Sequence, residues 1–155
     1  MAVTLLEAKL EDCVEIHKMQ IIAFKPLLDH YQDYEASPGA ETVEIIMERM
    51  SKYPSLTHYF IILQEDKIGH IRINRLSETV CRFSQMFILP EYQGNGYAQQ
   101  AIGAVERLHP EVIRWELDTI KQEPKLRHLY EKMGYKLTGK ESNIKEGMDL
   151  VYYAK

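Results

Sequence analysis

The residues most suggestive of chemistry lie in one short run: Gln93, Gly94, Asn95, Gly96, Tyr97 and Ala98. An apolar stretch ends at Pro90 just before them, and an Ala-rich amphipathic pattern begins just after, so the glycine pair occupies a strand-to-helix corner. The first N–H groups of a helix have no intrahelical acceptor and carry partial positive charge, which suits a phosphate. Gly94 and Gly96 let the backbone take positive φ and approach such an anion with no Cβ in the way. An ordinary tight turn uses the same pair, so spacing alone leaves both readings open. Two phosphate motifs are excluded. A P-loop needs Lys and Ser or Thr after its last glycine, where Tyr97 and Ala98 stand. A dinucleotide fingerprint needs a small residue at 99, which is Gln99, and a parallel βαβ start.

Proton-transfer candidates are scattered more widely. Tyr130 falls on the apolar stripe of a downstream helix, so it either packs or donates a proton. His70 lies inside a strand pattern and Asp118 at the end of another. Either is a base for an attacking amine, and either has a structural reading, as a core histidine or a strand-end turn former. Acidic and aromatic residues gather between 24 and 35, including Phe24, Asp29, Tyr31 and Tyr34. Such a group can receive a cationic amine through charge and cation–π contact, or can be a solvated loop.

These residues need a scaffold. Residues 3–8 predict a first strand. Cys13, Ile16, Gln20, Ala23 and Phe24 trace a helical face, and Val43, Ile46, Met47 and Met50 trace a second that stops before Pro54. Residues 26–40 between them predict a long surface loop with at most a turn of helix. Residues 58–63 and 68–76 flank a hairpin signal at 64–67, and 79–89 adds a third meander strand. Ala98, Ala101, Ile102, Val105 and Leu108 form the next helical stripe. Residues 112–119 return as a strand. Pro124 opens a helix lined by Leu126, Leu129, Tyr130 and Met133 and capped by Gly134. Residues 135–139 and 148–153 close the sheet, with a turn at 140–147. The order predicts a mixed α/β fold: a mostly antiparallel central sheet of about seven strands with four helices.

Composition bounds the function. At 155 residues, with 45% hydrophobic and 27% charged, the chain reads as one soluble domain spanning 1–155. A net charge of −4 argues against nucleic-acid binding by broad phosphate neutralisation. Cys13 and Cys81 stand alone in apolar patterns, which predicts reduced core thiols and neither a disulfide nor a metal site. No leader-like or membrane-spanning run is present, so a cytoplasmic protein without membrane attachment is expected.

The run from Gln93 to Ala98 resembles the Q/R-x-x-G-x-G/A signature of the GNAT superfamily of N-acetyltransferases. It follows Met86, Phe87, Ile88, Leu89 and Pro90, similar to the strand that this family runs along the pantetheine arm of its donor. Downstream, Leu129, Tyr130, Glu131, Lys132, Met133, Gly134 and Tyr135 resemble the family's LYEK-x-GF/Y segment. The resemblance covers the element order of nearly the whole chain and implies a GNAT-like fold. It implies acetyl-CoA as acyl donor, no metal, and direct attack of a primary amine on the thioester. The backbone of Met86, Phe87 and Ile88 would pair with pantetheine like an added strand. The loop from Gln93 through Gly94, Asn95, Gly96 and Tyr97 to Ala98 would hold the pyrophosphate, with Leu129 and Tyr130 beside the cofactor arm. Tyr130 would protonate the departing thiolate.

The sequence departs from that pattern twice. Glu123 stands where many relatives carry asparagine, and as a carboxylate it would be expected to face away from CoA phosphates. The strand before the glycine loop contains no carboxylate to act as base, leaving His70, Asp118 or water-relayed proton loss. Three functions compete: a small-molecule N-acetyltransferase, a protein or peptide N-acetyltransferase with a shallow open groove, and a CoA-binding module without catalysis. The acceptor would be a small-molecule amine, met by Phe24, Asp29, Tyr31 and Tyr34 with the 140–147 turn as a further wall. A homodimer is common in the family and nothing in the chain decides it.

Overall fold

The computed structural model describes residues 2–155. In chain order the elements are β1 (Val3–Glu7), α1 (Cys13–Tyr31), α2 (Val43–Lys52), β2 (Leu56–Leu63), β3 (Asp66–Arg75), β4 (Val80–Ile88), α3 (Tyr97–Leu108), β5 (Arg114–Ile120), α4 (Pro124–Lys132), β6 (Lys136–Lys145) and β7 (Met148–Ala154). The strands form one seven-stranded sheet in the order β1-β2-β3-β4-β5-β7-β6. Every neighbouring pair is antiparallel except β4 and β5, which the α3 crossover makes parallel. This is the mixed, mostly antiparallel sheet with four helices that the element order predicts.

Strand alternation supplies two apolar faces. Ile61, Ile71 and Ile73 pack with Ala101, Ile102 and Val105 of α3 on one face, joined at the edge by Leu129 and Tyr130 of α4. On the other face Phe60 and Phe87 meet Cys13, Ile16 and Met19 of α1 and Ile46 of α2. Full burial of an aliphatic side chain such as Ile16, Ile71 or Ile102 contributes about 1.5–3 kcal/mol each, which is what ties the helices to the sheet.

A β-bulge in β4 sets up the site. Arg72 of β3 pairs with Gln85, but its neighbour Ile73 pairs with Phe83, so Ser84 is the extra residue. The insertion reverses the strand's parity. Before it, Cys81 and Phe83 face the α3 side; after it, Gln85 and Phe87 face α1, and Met86 and Ile88 face the α3 side. At the same point the parallel ladder stops. Phe83 opposite Leu117 is the last β4–β5 pair, and the two strands separate beyond it.

Two expectations are corrected. Residues 26–40 are not a loop throughout: α1 runs through Pro26 to Tyr31 and ends where Gln32 turns left-handed at φ 54°. A proline inside a helix costs about 3 kcal/mol. That cost is offset by tertiary packing, with Phe24 edge-on to Phe87 at 5.7 Å and Tyr31 clustered with Ile120 and Met148. The segment 140–147 is also not a turn. It continues β6 to Lys145, paired to β7 as in Ser142 opposite Leu150, leaving only Glu146 and Gly147 between the strands. Its Lys-, Glu- and Asn-rich composition has low strand propensity, and pairing with β7 overrides that.

Candidate active site

The cleft begins where β4 and β5 part. Beyond Phe83, the β4 backbone groups that point away from β3 have no strand partner, through Gln85, Met86, Phe87 and Ile88. An extended chain can hydrogen-bond there as a strand would. At the end of β4, a short turn carries the chain to the glycine corner. Gly94 and Gly96 adopt φ of 80° and 81°, a region open to glycine at little cost. A Cβ on either glycine would meet nothing within 4 Å, so the corner faces open space. Gly96 is the N-cap of α3, no side chain caps that helix, and Gln100 is the first residue whose N–H bonds back to Gly96. The N–H groups of Tyr97, Ala98 and Gln99 are therefore available to an anion. Gln93 has a different role, since its N–H donates to Pro90 and its side-chain amide donates to the Ile88 carbonyl at 2.8 Å. It braces the loop against the end of β4.

From this corner a cavity of about 1180 Å³ runs along the splay. The end at the glycine corner is lined by Met86, Phe87, Ile88, Gly94, Gly96, Tyr97, Ala98, Leu129 and Tyr130. Its other end is walled by Phe24, Leu27 and Tyr31 of α1, by Asp33, Ser37 and Glu41 of the following segment, and by Ile144, Met148 and Leu150 of the β6–β7 hairpin. Three cationic or titratable side chains of α4, Lys125, His128 and Lys132, also line it. None of them has a role legible in the sequence: Lys132 stands only within the LYEK-like segment, and Lys125 and His128 on the polar face of a helix.

Tyr130 lies at the middle of the cleft. Its hydroxyl makes no hydrogen bond among the described residues, and its ring packs against Tyr135 and Tyr153 at 6.4 Å each. Burial, and then the nearby Asp118, hold its pKa well above the ordinary tyrosine value, so the phenol stays protonated at neutral pH. Asp118 lines the cleft too, but it is ion-paired with Arg82 of β4 and so bridges the two strands near the parting. His70 is elsewhere. It is 1% exposed, stacked on Phe87 at 5.6 Å, and within 3.3 Å of the His58 ring nitrogen. Burial is the main cause that brings both histidines down; the charges of Arg72 and Arg49 follow for His58, which falls to about 4, and the neighbouring His58 and then Arg72 follow for His70. Both are neutral core groups.

The acceptor candidates separate once the helix is drawn. Phe24 and Tyr31 are seven residues apart, two helical turns, and share the face that lines the cleft. Asp29 points to solvent and pairs with Lys25 at 3.0 Å, while Tyr34 is 64% exposed and outside the cleft. Glu123 faces into the cleft, toward Tyr31 of α1. It lines the cleft and accepts a hydrogen bond from the Tyr31 hydroxyl at 2.6 Å. Burial, and then that bond, raise the Tyr31 pKa to about 12. A residue pair 92 positions apart left no local signal to find it by.

The site is thus a sheet opened beside a glycine-turned helix N-terminus, with a tyrosine at the opening. Residues 55–137, more than half of the chain, match the acetyltransferase (GNAT) domain model. No curated protein matches the chain by sequence. Among solved structures, an acetyltransferase from Thermus thermophilus superposes with a TM-score of 0.78 at 15% identity, over 100% of this chain and 97% of its own. The spermidine N-acetyltransferase of Vibrio cholerae, in complex with CoA and spermine, gives 0.78 at 20% identity, over 99% and 94%. An acetyltransferase of Salmonella typhimurium that modifies the N-terminal serine of ribosomal protein L7/L12 gives 0.77 at 14% identity, over 100% and 95%. The chain belongs to the GNAT family and is an acetyl-CoA-dependent N-acetyltransferase. No helix among the described residues is long and apolar enough to cross a membrane.

Proposed function

We propose that the protein transfers the acetyl group of acetyl-CoA to the primary amine of a small molecule, with both substrates bound together. The observation that carries this reading is the partnerless edge of β4 from Gln85 to Ile88, running between the α3 N-terminus and Tyr130. Met86, Phe87 and Ile88 would bind the pantetheine arm as a strand, and the N–H groups of Tyr97 and Ala98 would receive the pyrophosphate. A backbone N–H near Phe87 or Ile88 polarises the thioester carbonyl and stabilises the tetrahedral oxyanion.

The amine lone pair forms the C–N bond, the C–S bond breaks, and the departing sulfur takes the Tyr130 proton. The proton lost by the amine leaves through water, because Asp118 is committed to Arg82 and His70 is buried away from the cleft, and water returns a proton to the Tyr130 phenolate. Much of the acceleration then comes from holding amine and carbonyl carbon in register. No covalent enzyme intermediate is needed.

The walls favour a small acceptor over a protein. Helix α1, the segment 33–41 and the β6–β7 hairpin enclose the acceptor end on three sides, where a protein substrate would need a shallow open groove. Thiol release measured over a panel of small amines and of peptides tests this. Turnover of small amines is expected. Turnover of peptides alone would transfer the reading to protein acetylation, and acetyl-CoA binding without turnover on either panel would leave a CoA-binding module.

A further inference from the structure

On the α1–α2 side of the sheet a second, smaller cavity of about 290 Å³ is lined by Arg49, Tyr53, Ser55, Arg72, Asn74 and Ser84. Arg72 and Ser84 also line the main cleft, so the two spaces meet at the β4 bulge. Arg72 Nε and Asn74 Oδ1 are both buried without a hydrogen-bond partner among the described residues, and Arg72 makes no ion pair there. Glu41, the nearby carboxylate, is already taken: Arg49 binds it through both nitrogens, at 2.5 and 3.2 Å, and the Gln20 amide donates to it at 2.7 Å.

The charge count points to the ligand. Arg49 and Arg72 contribute two positive charges and Glu41 one negative, and the neighbouring His58 and His70 are neutral. The net is one positive charge, held by a guanidinium whose isolation in a protein interior is costly until an anion meets it. A planar monoanion with two oxygens matches the guanidinium fork, whereas a dianionic phosphate would reverse the charge of the cluster. Position matters as well. Arg72 pairs in register with Gln85, one residue before the β4 stretch that would carry the donor. An anion here would lie a residue step or two along the strand from where the proposed donor site puts the thioester.

We propose that Arg72, with the Ser84 hydroxyl, binds a carboxylate carried by the acceptor, so that the substrate is an amino acid or a similar amine with its carboxylate a few bonds from the reacting nitrogen. The amine half of this statement rests on the acetyl-transfer reading; the carboxylate half does not.

The test has two arms. In the first, acetyl transfer is compared between amino acids or dipeptides and their carboxamides. The carboxylate member is expected to have kcat/KM about tenfold higher or more, the difference vanishing in Arg72→Gln through KM while the KM for acetyl-CoA is unchanged. Equal rates for the pair, or a preference that survives Arg72→Gln, would overturn the proposal. In the second, wild-type protein labelled for arginine Nε–Hε resonances is titrated with acetate and separately with inorganic phosphate. A saturable shift of the Arg72 signal by acetate, larger than by phosphate, is expected. No shift with acetate, or a stronger response to phosphate, would count against the carboxylate assignment even if no acceptor is turned over. Acetyl-CoA binding by the same sample separates that result from failure of the acetyl-transfer reading.

Discussion

The two ends of the cleft are built in opposite ways. The donor end is local: a strand terminus, a bracing glutamine, two left-handed glycines and a helix N-terminus, all between Gln85 and Gln99. It offers backbone groups, whose positions depend on φ and ψ more than on side-chain identity. The acceptor end is assembled from α1, the 33–41 segment, β3 and the β6–β7 hairpin, and it offers side chains held by long-range pairs such as Tyr31 to Glu123. A backbone site can serve one unchanging ligand across many sequences. A side-chain site can be re-specified by single substitutions without disturbing the donor.

That contrast can be broken most severely at the corner. Gly96→Trp places a β-carbon at φ 81° and fills the space where an anion would approach. Acetyl-CoA affinity measured by calorimetry is expected to fall by about a hundredfold or more, from strain and lost phosphate contacts together. Unchanged affinity in a folded variant would remove the phosphate reading of the glycine pair.

Tyr130→Phe comes next, because it touches the chemistry between the two ends. Loss of a proton donor predicts a fall in kcat of about a hundredfold, with little change in either substrate's KM. Since the Tyr130 pKa is raised, the wild-type rate is expected to show no alkaline loss attributable to this phenol up to about pH 10. A KM effect without a kcat effect would reduce Tyr130 to packing.

His70 and His58, beneath the donor strand, predict an effect on stability. Their folded pKa values lie below the ordinary histidine value, so the stability they contribute is present above about pH 6.5 and is lost as pH falls through the folded values, about 4 for His58. A loss on the order of 3 kcal/mol across that window is expected for His58 in chemical unfolding. His58→Gln should flatten the acid limb; an unaltered limb would locate the acid sensitivity elsewhere.

Smaller effects belong to the acceptor wall. Tyr31→Phe releases Glu123 from its 2.6 Å hydrogen bond and is expected to raise the acceptor KM several-fold while leaving acetyl-CoA affinity unchanged. An equal effect on both substrates would show that the two ends are not independent. Asp29→Asn, by contrast, should stay within about twofold on every parameter, because its exposed pair with Lys25 faces solvent.

The geometry of the glycine corner was legible in the residues because its information is consecutive. Glycines mark positive φ, an amphipathic stripe marks the helix they start, and the following residues need no distant partner to form the cradle. The element order likewise followed from periodicity, which each strand and helix carries within itself. What sequence could not supply is whatever depends on partners far along the chain. Pro26 argued for a loop, yet α1 continues through it because Phe24 and Tyr31 find Phe87, Ile120 and Met148. Asp29 and Tyr34 looked like neighbours of Tyr31, and the helix turned Asp29 outward while Tyr34 fell beyond its end. The bulge at Ser84 has no sequence signature, yet it coincides with the end of β4–β5 pairing, and Arg72 beside it lines the cleft. The sequence by itself determined the repeating elements and the glycine corner, since those rest on local backbone preference. Tertiary structure alone decided which side chains face the cleft, since a face is defined only by what packs against the other one.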